Sequence, residues 1–185
     1  MRILAISGSL RSASSNTALL QAAAVLAPEG VDISAYDRLG DLPHFNPDLD
    51  DEGAPAPEAV ADFRARLRAS DAVMVSSPEY AHGVPGVLKN ALDWVVGSGE
   101  FVGKPVALIN ASPRATHAQA SLLETLTVMT ATIVAEASIT VPLLGRKLDA
   151  AGIAADPEFS AALRSSIAAL GRAVDLRRDG DETGA

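Results

Sequence analysis

The chain has no cysteine. That excludes a disulfide framework, a thiol nucleophile and a cysteine-ligated metal, and it fits a reducing cytoplasm. Basic charge is scarce as well: 15 Lys and Arg stand against 23 Asp and Glu, a formal net charge of −8. This balance argues against nucleic acid or an anionic membrane surface as partner. It leaves a phosphate ligand open, because one arginine and a few backbone dipoles decide that locally. Long apolar runs are missing: none approaches the ~18 residues that span a bilayer, and the run before Ser7 is too short for a secretory leader core. No membrane association and a cytoplasmic location are therefore expected. His44 and His117 are too dispersed to build a metal site, so no metal is expected, and no convincing Ser-His-Asp set stands out.

What the chain does have is an alternation. At 185 residues with 48% hydrophobic content, it is long enough to bury about 70% of its unfolded surface as one domain. Short apolar runs, read as buried strands, alternate with amphipathic helices, which is the pattern of a parallel α/β sheet. Strands are expected at Arg2–Ser7, Val31–Tyr36, Ala72–Ser76, Lys104–Asn110 and Ile133–Thr140. Helices are expected over Ser15–Leu26 and Glu58–Ala69, from Pro85 to the glycines at 97 and 99, and from Thr116 to Met129. In the second, Val60, Phe63 and Leu67 face inward and Arg64, Arg66 and Arg68 outward. Thr116 and Gln119 have capping-box spacing. Asp156 caps a last helix opened by Pro157, with Phe159, Leu163, Ile167, Leu170 and Val174 on its buried face. Arg38–Pro57, with four prolines and glycines at 40 and 53, reads as one long irregular loop. One domain over residues 1–178 is expected, with a polar tail at 179–185 that is disordered.

The most informative stretch runs from Ile3 to Thr17. An apolar strand ends in Ser7-Gly8-Ser9-Leu10-Arg11-Ser12-Ala13-Ser14-Ser15-Asn16-Thr17, a loop crowded with hydroxyls that turns into a helix capped by Ser14 or Ser15. Free backbone amides at a helix N-terminus are how proteins hold a phosphate, and Arg11 can add a charge-assisted bond. The dinucleotide pattern G-x-G-x-x-G fails at Leu10, and no Gly-Lys-Ser/Thr follows. Capping without a ligand accounts for Ser and Asn here equally well.

A second stretch, Pro78-Glu79-Tyr80-Ala81-His82-Gly83-Val84-Pro85-Gly86-Val87-Leu88-Lys89-Asn90-Ala91-Leu92-Asp93-Trp94, follows the third strand. Together the two resemble the NADPH-dependent FMN reductase family of flavodoxin-like proteins. That family pairs a G-S-x-R-x-x-S-x-N loop on the flavin phosphate with a P-E-Y-x-x-x-x-P-x-x-L-K-N-A-[IL]-D-W segment on the flavin ring. The likeness extends roughly from Met1 to Val141. One departure stands out: the family often carries a glycine-rich loop after the fourth strand, and here Ala111–His117 holds no glycine.

The resemblance implies a flavodoxin-like three-layer α/β sandwich with a five-stranded parallel sheet of order 2-1-3-4-5. Its ligand crevice would lie between strands 1 and 3, where both motif loops emerge. It implies bound FMN, with Ser9, Arg11, Ser14, Asn16 and Thr17 at the phosphate. Pro78, Glu79, Tyr80 and His82 would lie on the loop that meets the ring, mostly through backbone groups, and Ser112 at the end of the fourth strand. Arg114 could reach a pyridine-nucleotide phosphate or sit in solvent. Asn90, Asp93 and Trp94 read as structural, with Lys89 and Asp93 as a surface pair. The implied activity passes two electrons from NAD(P)H through FMN to a flavin, quinone or similar acceptor in ping-pong fashion. The alternative is a flavin-binding electron carrier or redox sensor with no NAD(P)H activity of its own. A homodimer or homotetramer is implied, with Val87, Ala91 and Trp94 facing a partner subunit.

Overall fold

Alternate residues of the central strands feed two separate cores, and that alternation builds three layers. The computed structural model describes residues 1–51 and 55–183. Gly53 and residues 184 and 185 of the expected tail lie outside them. Strands β1 (Arg2–Ser7), β2 (Asp32–Tyr36), β3 (Ala72–Ser76) and β4 (Pro105–Asn110) pair in parallel in the order β2-β1-β3-β4. Ile3, Ala5, Ala72, Met74, Ala107 and Ile109 point to one face. There they pack against α1 (Ser15–Val25), α5 (Ala150–Ala155) and α6 (Pro157–Thr183). Leu4, Ile6, Val73, Val75, Val106 and Leu108 point the other way, onto α2 (Glu58–Ala69), α3 (Gly86–Asp93) and α4 (Thr116–Val128). Two-sided burial is why β3 and β4 read as unbroken apolar runs.

The fold is the expected flavodoxin-like order 2-1-3-4-5, with one change at its edge. The strand expected over Ile133–Thr140 is two short pieces, β5 (Thr132–Ile133) and β6 (Ile139–Thr140). They are separated by a 3₁₀ turn at Ala135–Ala137. Both pair with the same edge of β4, so they share one place in the sheet. Ser138 fills the gap: its hydroxyl accepts from the Leu108 amide at 3.1 Å and donates to Val134 O at 3.0 Å.

Three other expectations need correction. Arg64 does not face outward; it is buried, donates to Trp94 O and pairs with Asp50 at 2.8 Å. Thr116 and Gln119 form no capping box, because α4 starts one residue earlier than that reading requires and Ala115 holds the cap position. The short helix α5, capped by Asp149 through the Gly152 amide, had no sequence signal beyond that aspartate. The last helix is capped as expected, Asp156 accepting from the amides of Glu158 and Phe159. It continues through Thr183, into the segment read as tail.

Candidate functional site

Ser7 and Ser76 are register partners on adjacent parallel strands, so the loops that follow them emerge side by side. The Gly8 amide extends the ladder to Ser76 O at 2.8 Å. A Cβ on Gly8 would come within 3.0 Å of both Leu88 Cδ2 and Ser77 Oγ. The missing side chain is what lets the two loops touch. Two further bonds fix α1 against the sheet: Ser7 Oγ and Thr17 Oγ1 share a hydrogen bond of 2.8 Å, and the buried Ser76 hydroxyl donates to Asn16 Oδ1 at 2.9 Å.

Of the two candidate caps, Ser14 takes the role, its Oγ accepting from the Thr17 amide at 3.3 Å. Ahead of it, the Ser9 hydroxyl accepts from the Arg11 amide. The amides of Ser12, Ala13 and Ser14 have no protein acceptor among the described residues. The Arg11 side chain is exposed and makes no ion pair or hydrogen bond there either. Free donors and an unpaired guanidinium thus share one end of α1, where the helix dipole favours negative charge.

The second loop is built differently. Tyr80 and Gly83 exchange backbone bonds of 3.1 and 2.9 Å around Ala81 and His82, both left-handed at φ 50° and 60°. This is a tight reverse turn of the primed kind, made without the glycine or asparagine that usually fills it. Tyr80 is exposed, but Glu79 and His82 are committed elsewhere. Glu79 Oε2 accepts from the Ala118 amide at 2.9 Å, so it supplies the cap that α4 lacks locally. His82 stacks on His117 at 4.1 Å between ring centres. Farther along, Asn90 Oδ1 accepts from the Phe45 amide, while Asn90 Nδ2 and Trp94 Nε1 both donate to Pro43 O. Trp94 is fully buried and meets Phe45 edge-on at 5.1 Å. Asn90 and Trp94 are therefore structural, tying the Arg38–Pro57 loop to α3, and Lys89 pairs with Asp93 on the surface. Ala91 and Trp94 are buried within the chain and turn no face to a partner; Val87 is half-buried.

Two neighbouring cavities lie over these loops. One of about 630 Å³ is bounded by Arg11, Ser14 and Thr17 together with the segment Leu143–Ala150. The other, about 330 Å³, is bounded by Asn16, Pro78, Glu79, Asn110, Ser112 and Arg114. Ser15, Leu143 and Leu144 border both. Ser9 lies on a third, smaller hollow on the β2 side, again with Arg11 and Thr17. Of the expected site residues, Tyr80 and His82 border none of these spaces. Ser112 does, held by its amide's bond to Asn110 Oδ1 at 2.9 Å.

A family model described as NADPH-dependent FMN reductase matches residues 1–143. The chain belongs to that family. An NAD(P)H-dependent FMN reductase of Pseudomonas aeruginosa is 46% identical over 114 residues, 60% of either chain. A quinone reductase of Pseudomonas putida is 40% identical over 116 residues, 61% of either chain. The chain thus spans about 60% of the length of these curated relatives. Among solved structures, the flavoenzyme NAD(P)H:(acceptor) oxidoreductase FerB of Paracoccus denitrificans superposes with a TM-score of 0.73. It is 29% identical, and the match covers 95% of this chain and 97% of that one.

The donor set suits the family's flavin mononucleotide. Unclaimed amides and one free guanidinium suit the phosphate, and the adjoining cavity between the two loops suits a flat ring with a polar edge. Sequence reasoning missed Asn110 and the Leu143–Asp149 segment. Asn110 did carry a signal, a polar residue ending an otherwise apolar strand. The segment carried none, since its place over α1 follows from how β6 and α5 connect.

Proposed function

We propose that this protein is an FMN-dependent oxidoreductase that takes two electrons from NAD(P)H and gives them to a flavin, a quinone or a similar small acceptor. One observation carries the reading: an unpaired Arg11 and acceptor-free amides at the start of α1 open beside a cavity walled by the second motif loop. The two relatives described as an FMN reductase and a quinone reductase support both acceptor classes.

FMN, when bound, supplies the two-electron chemistry; no side chain here has to act as nucleophile or proton donor. Arg11, the Ser12–Ser14 amides and the hydroxyls of Ser9, Ser14 and Thr17 hold the phosphate. Asn16 acts through Ser76, fixing the first turn of α1 against β3. Pro78, Glu79, Tyr80 and His82 set the shape of the ring-side loop, and Ser112 borders the same space. Leu143 and Leu144 add apolar surface where the two cavities meet. NAD(P)H and acceptor use the same space in turn, so a ping-pong pattern follows.

Among the described residues no helix is long and apolar enough to cross a membrane. We place the protein in the cytoplasm as a single-domain homodimer or homotetramer.

The decisive experiment mixes purified protein with FMN and NADPH without oxygen. Bleaching of the flavin absorbance, and parallel double-reciprocal plots with a quinone, are expected. Bound flavin that stays yellow under excess NADPH and NADH would show an electron carrier instead.

A further inference from the structure

The larger cavity has walls of two origins. One is the Arg11–Thr17 loop. The other is the segment from Leu143 to Asp149, which begins where the family match ends. The first wall contributes the cation Arg11, and the second Arg146 and Lys147, of which Arg146 is paired with Asp156. Neither Arg11 nor Lys147 takes part in an ion pair or a side-chain hydrogen bond among the described residues, although acidic residues outnumber basic ones 23 to 15. The acid on the lining, Asp149, turns one oxygen to the Gly152 amide as the cap of α5 and forms no ion pair with either cation.

The second wall is anchored. Arg146 reaches Asp156 at 3.5 Å and lies 4.9 Å from the centre of the Phe159 ring. Gly145, at φ 78°, makes the turn that a β-carbon would strain. Arg146 therefore holds the segment while its neighbour Lys147 stays unclaimed. Two unpaired cations on one cavity repel each other unless an anion comes between them. Hydroxyls of Ser12 and Ser15 and the free amides of the loop border the same space.

We infer that Lys147, working with Arg11, completes a binding subsite for a phosphate monoester dianion. Two unpaired cations with hydroxyl and amide donors around one space suit the three terminal oxygens of a phosphate monoester better than the two of a carboxylate. Two sources carry this group: the 5′-phosphate of FMN and the 2′-phosphate of NADPH. The choice between them rests on the proposed oxidoreductase function; the anion site itself does not.

The test uses the full chain with Lys147→Gln, and Lys147→Arg as rescue. Lys147 is exposed, so both variants should fold, and their melting temperatures without anion check this. Inorganic phosphate should raise the melting temperature of the apoprotein, and less so in K147Q. Losing one charge-assisted contact should weaken the true ligand about fivefold to tenfold. If FMN affinity falls while riboflavin affinity holds, the subsite takes the flavin phosphate. If the KM for NADPH rises while that for NADH holds, it takes the nucleotide phosphate. The arginine variant should recover most of either loss. A K147Q variant equal to wild type in phosphate protection, FMN-to-riboflavin ratio and NADPH-to-NADH ratio overturns the inference. Phosphate protection that depends on Lys147, in a protein that neither binds flavin nor oxidises NAD(P)H, would instead overturn the proposed function and keep the site.

Discussion

The two motif loops leave neighbouring strands side by side, yet their side chains do opposite things. The loop of residues 8–17 keeps donors free: the Arg11 guanidinium and the Ser12–Ser14 amides have no protein partner among the described residues. In the segment of residues 78–94 nearly every polar side chain is already engaged. Glu79 caps α4, His82 stacks on His117, and Asn90 and Trp94 hold the carbonyl of Pro43. Free donors next to a cavity make a surface for a ligand. Spent donors make a frame, and what such a frame offers a ligand is its backbone and its shape. On the proposed function, the first motif would serve binding through its side chains and amides, and the second through the architecture it holds. Substitutions in them should separate along that line, one set changing affinity and the other stability.

Breaking the frame should have the largest effect. Trp94→Ala removes a fully buried ring, its bond to Pro43 O and its edge contact with Phe45. A loss of about 3–5 kcal/mol is expected from such a truncation. Denaturant unfolding should show it as an earlier midpoint. An unchanged midpoint would mean that the loop of residues 38–51 does not depend on this anchor.

Removing the ligand surface should do the reverse. Arg11→Ala should weaken FMN binding tenfold or more, since a hydrogen bond to a charged group contributes about 1.5–3 kcal/mol against about 1.4 per factor of ten. Its melting temperature without ligand should stay near wild type, because the side chain has no protein partner to lose. A fluorescence titration of apoprotein reads the first quantity and a thermal melt the second. A large stability loss with unchanged affinity would invert the comparison.

Glu79 tests the boundary, because it belongs to the frame and also borders the smaller cavity. Glu79→Ala leaves the Ala118 amide without its acceptor at the N-terminus of α4. About 1 kcal/mol of stability should go, as for any lost N-cap. FMN affinity should move by less than it does in Arg11→Ala; an equal or greater loss would mean that the carboxylate serves the ligand directly.

Much of this was readable before the structure, and what was readable has a common character. The Ser14 cap, the Asp156 cap and the Lys89–Asp93 pair are local patterns, and the strand order came with the family resemblance carried by two local motifs. The unreadable parts are long-range. Arg64 looks like an outward arginine on a helical wheel, but a buried carbonyl at Trp94 and the Asp50 carboxylate draw it in. Glu79 caps a helix 39 residues away, which no spacing rule reports. The split of the last strand depends on Ser138 meeting the β4 amide of Leu108. The segment carrying Lys147 comes to lie over α1 through the path from β6 to α5.

The smallest expected effect comes from the reverse turn itself. Ala81 and His82 are both left-handed, a conformation that costs an L-residue with a β-carbon about 1–2 kcal/mol. Ala81→Gly removes that strain but frees the unfolded chain, which offsets about 0.5–1 kcal/mol. The balance should favour the variant by a few tenths to about 1 kcal/mol. Ala81→Asn tests the same strain with less change to the unfolded chain, since asparagine tolerates this conformation better than alanine. The frame argument adds a second requirement. If the turn serves the ring through its backbone shape, a substitution that keeps the Tyr80–Gly83 bonds should leave FMN affinity within about twofold, a few tenths of a kcal/mol. A more stable variant with equal affinity would show that the turn is held in place by its surroundings. A more stable variant that binds FMN much more weakly would show that the Ala81 side chain, or the strain in this turn, is part of the binding site.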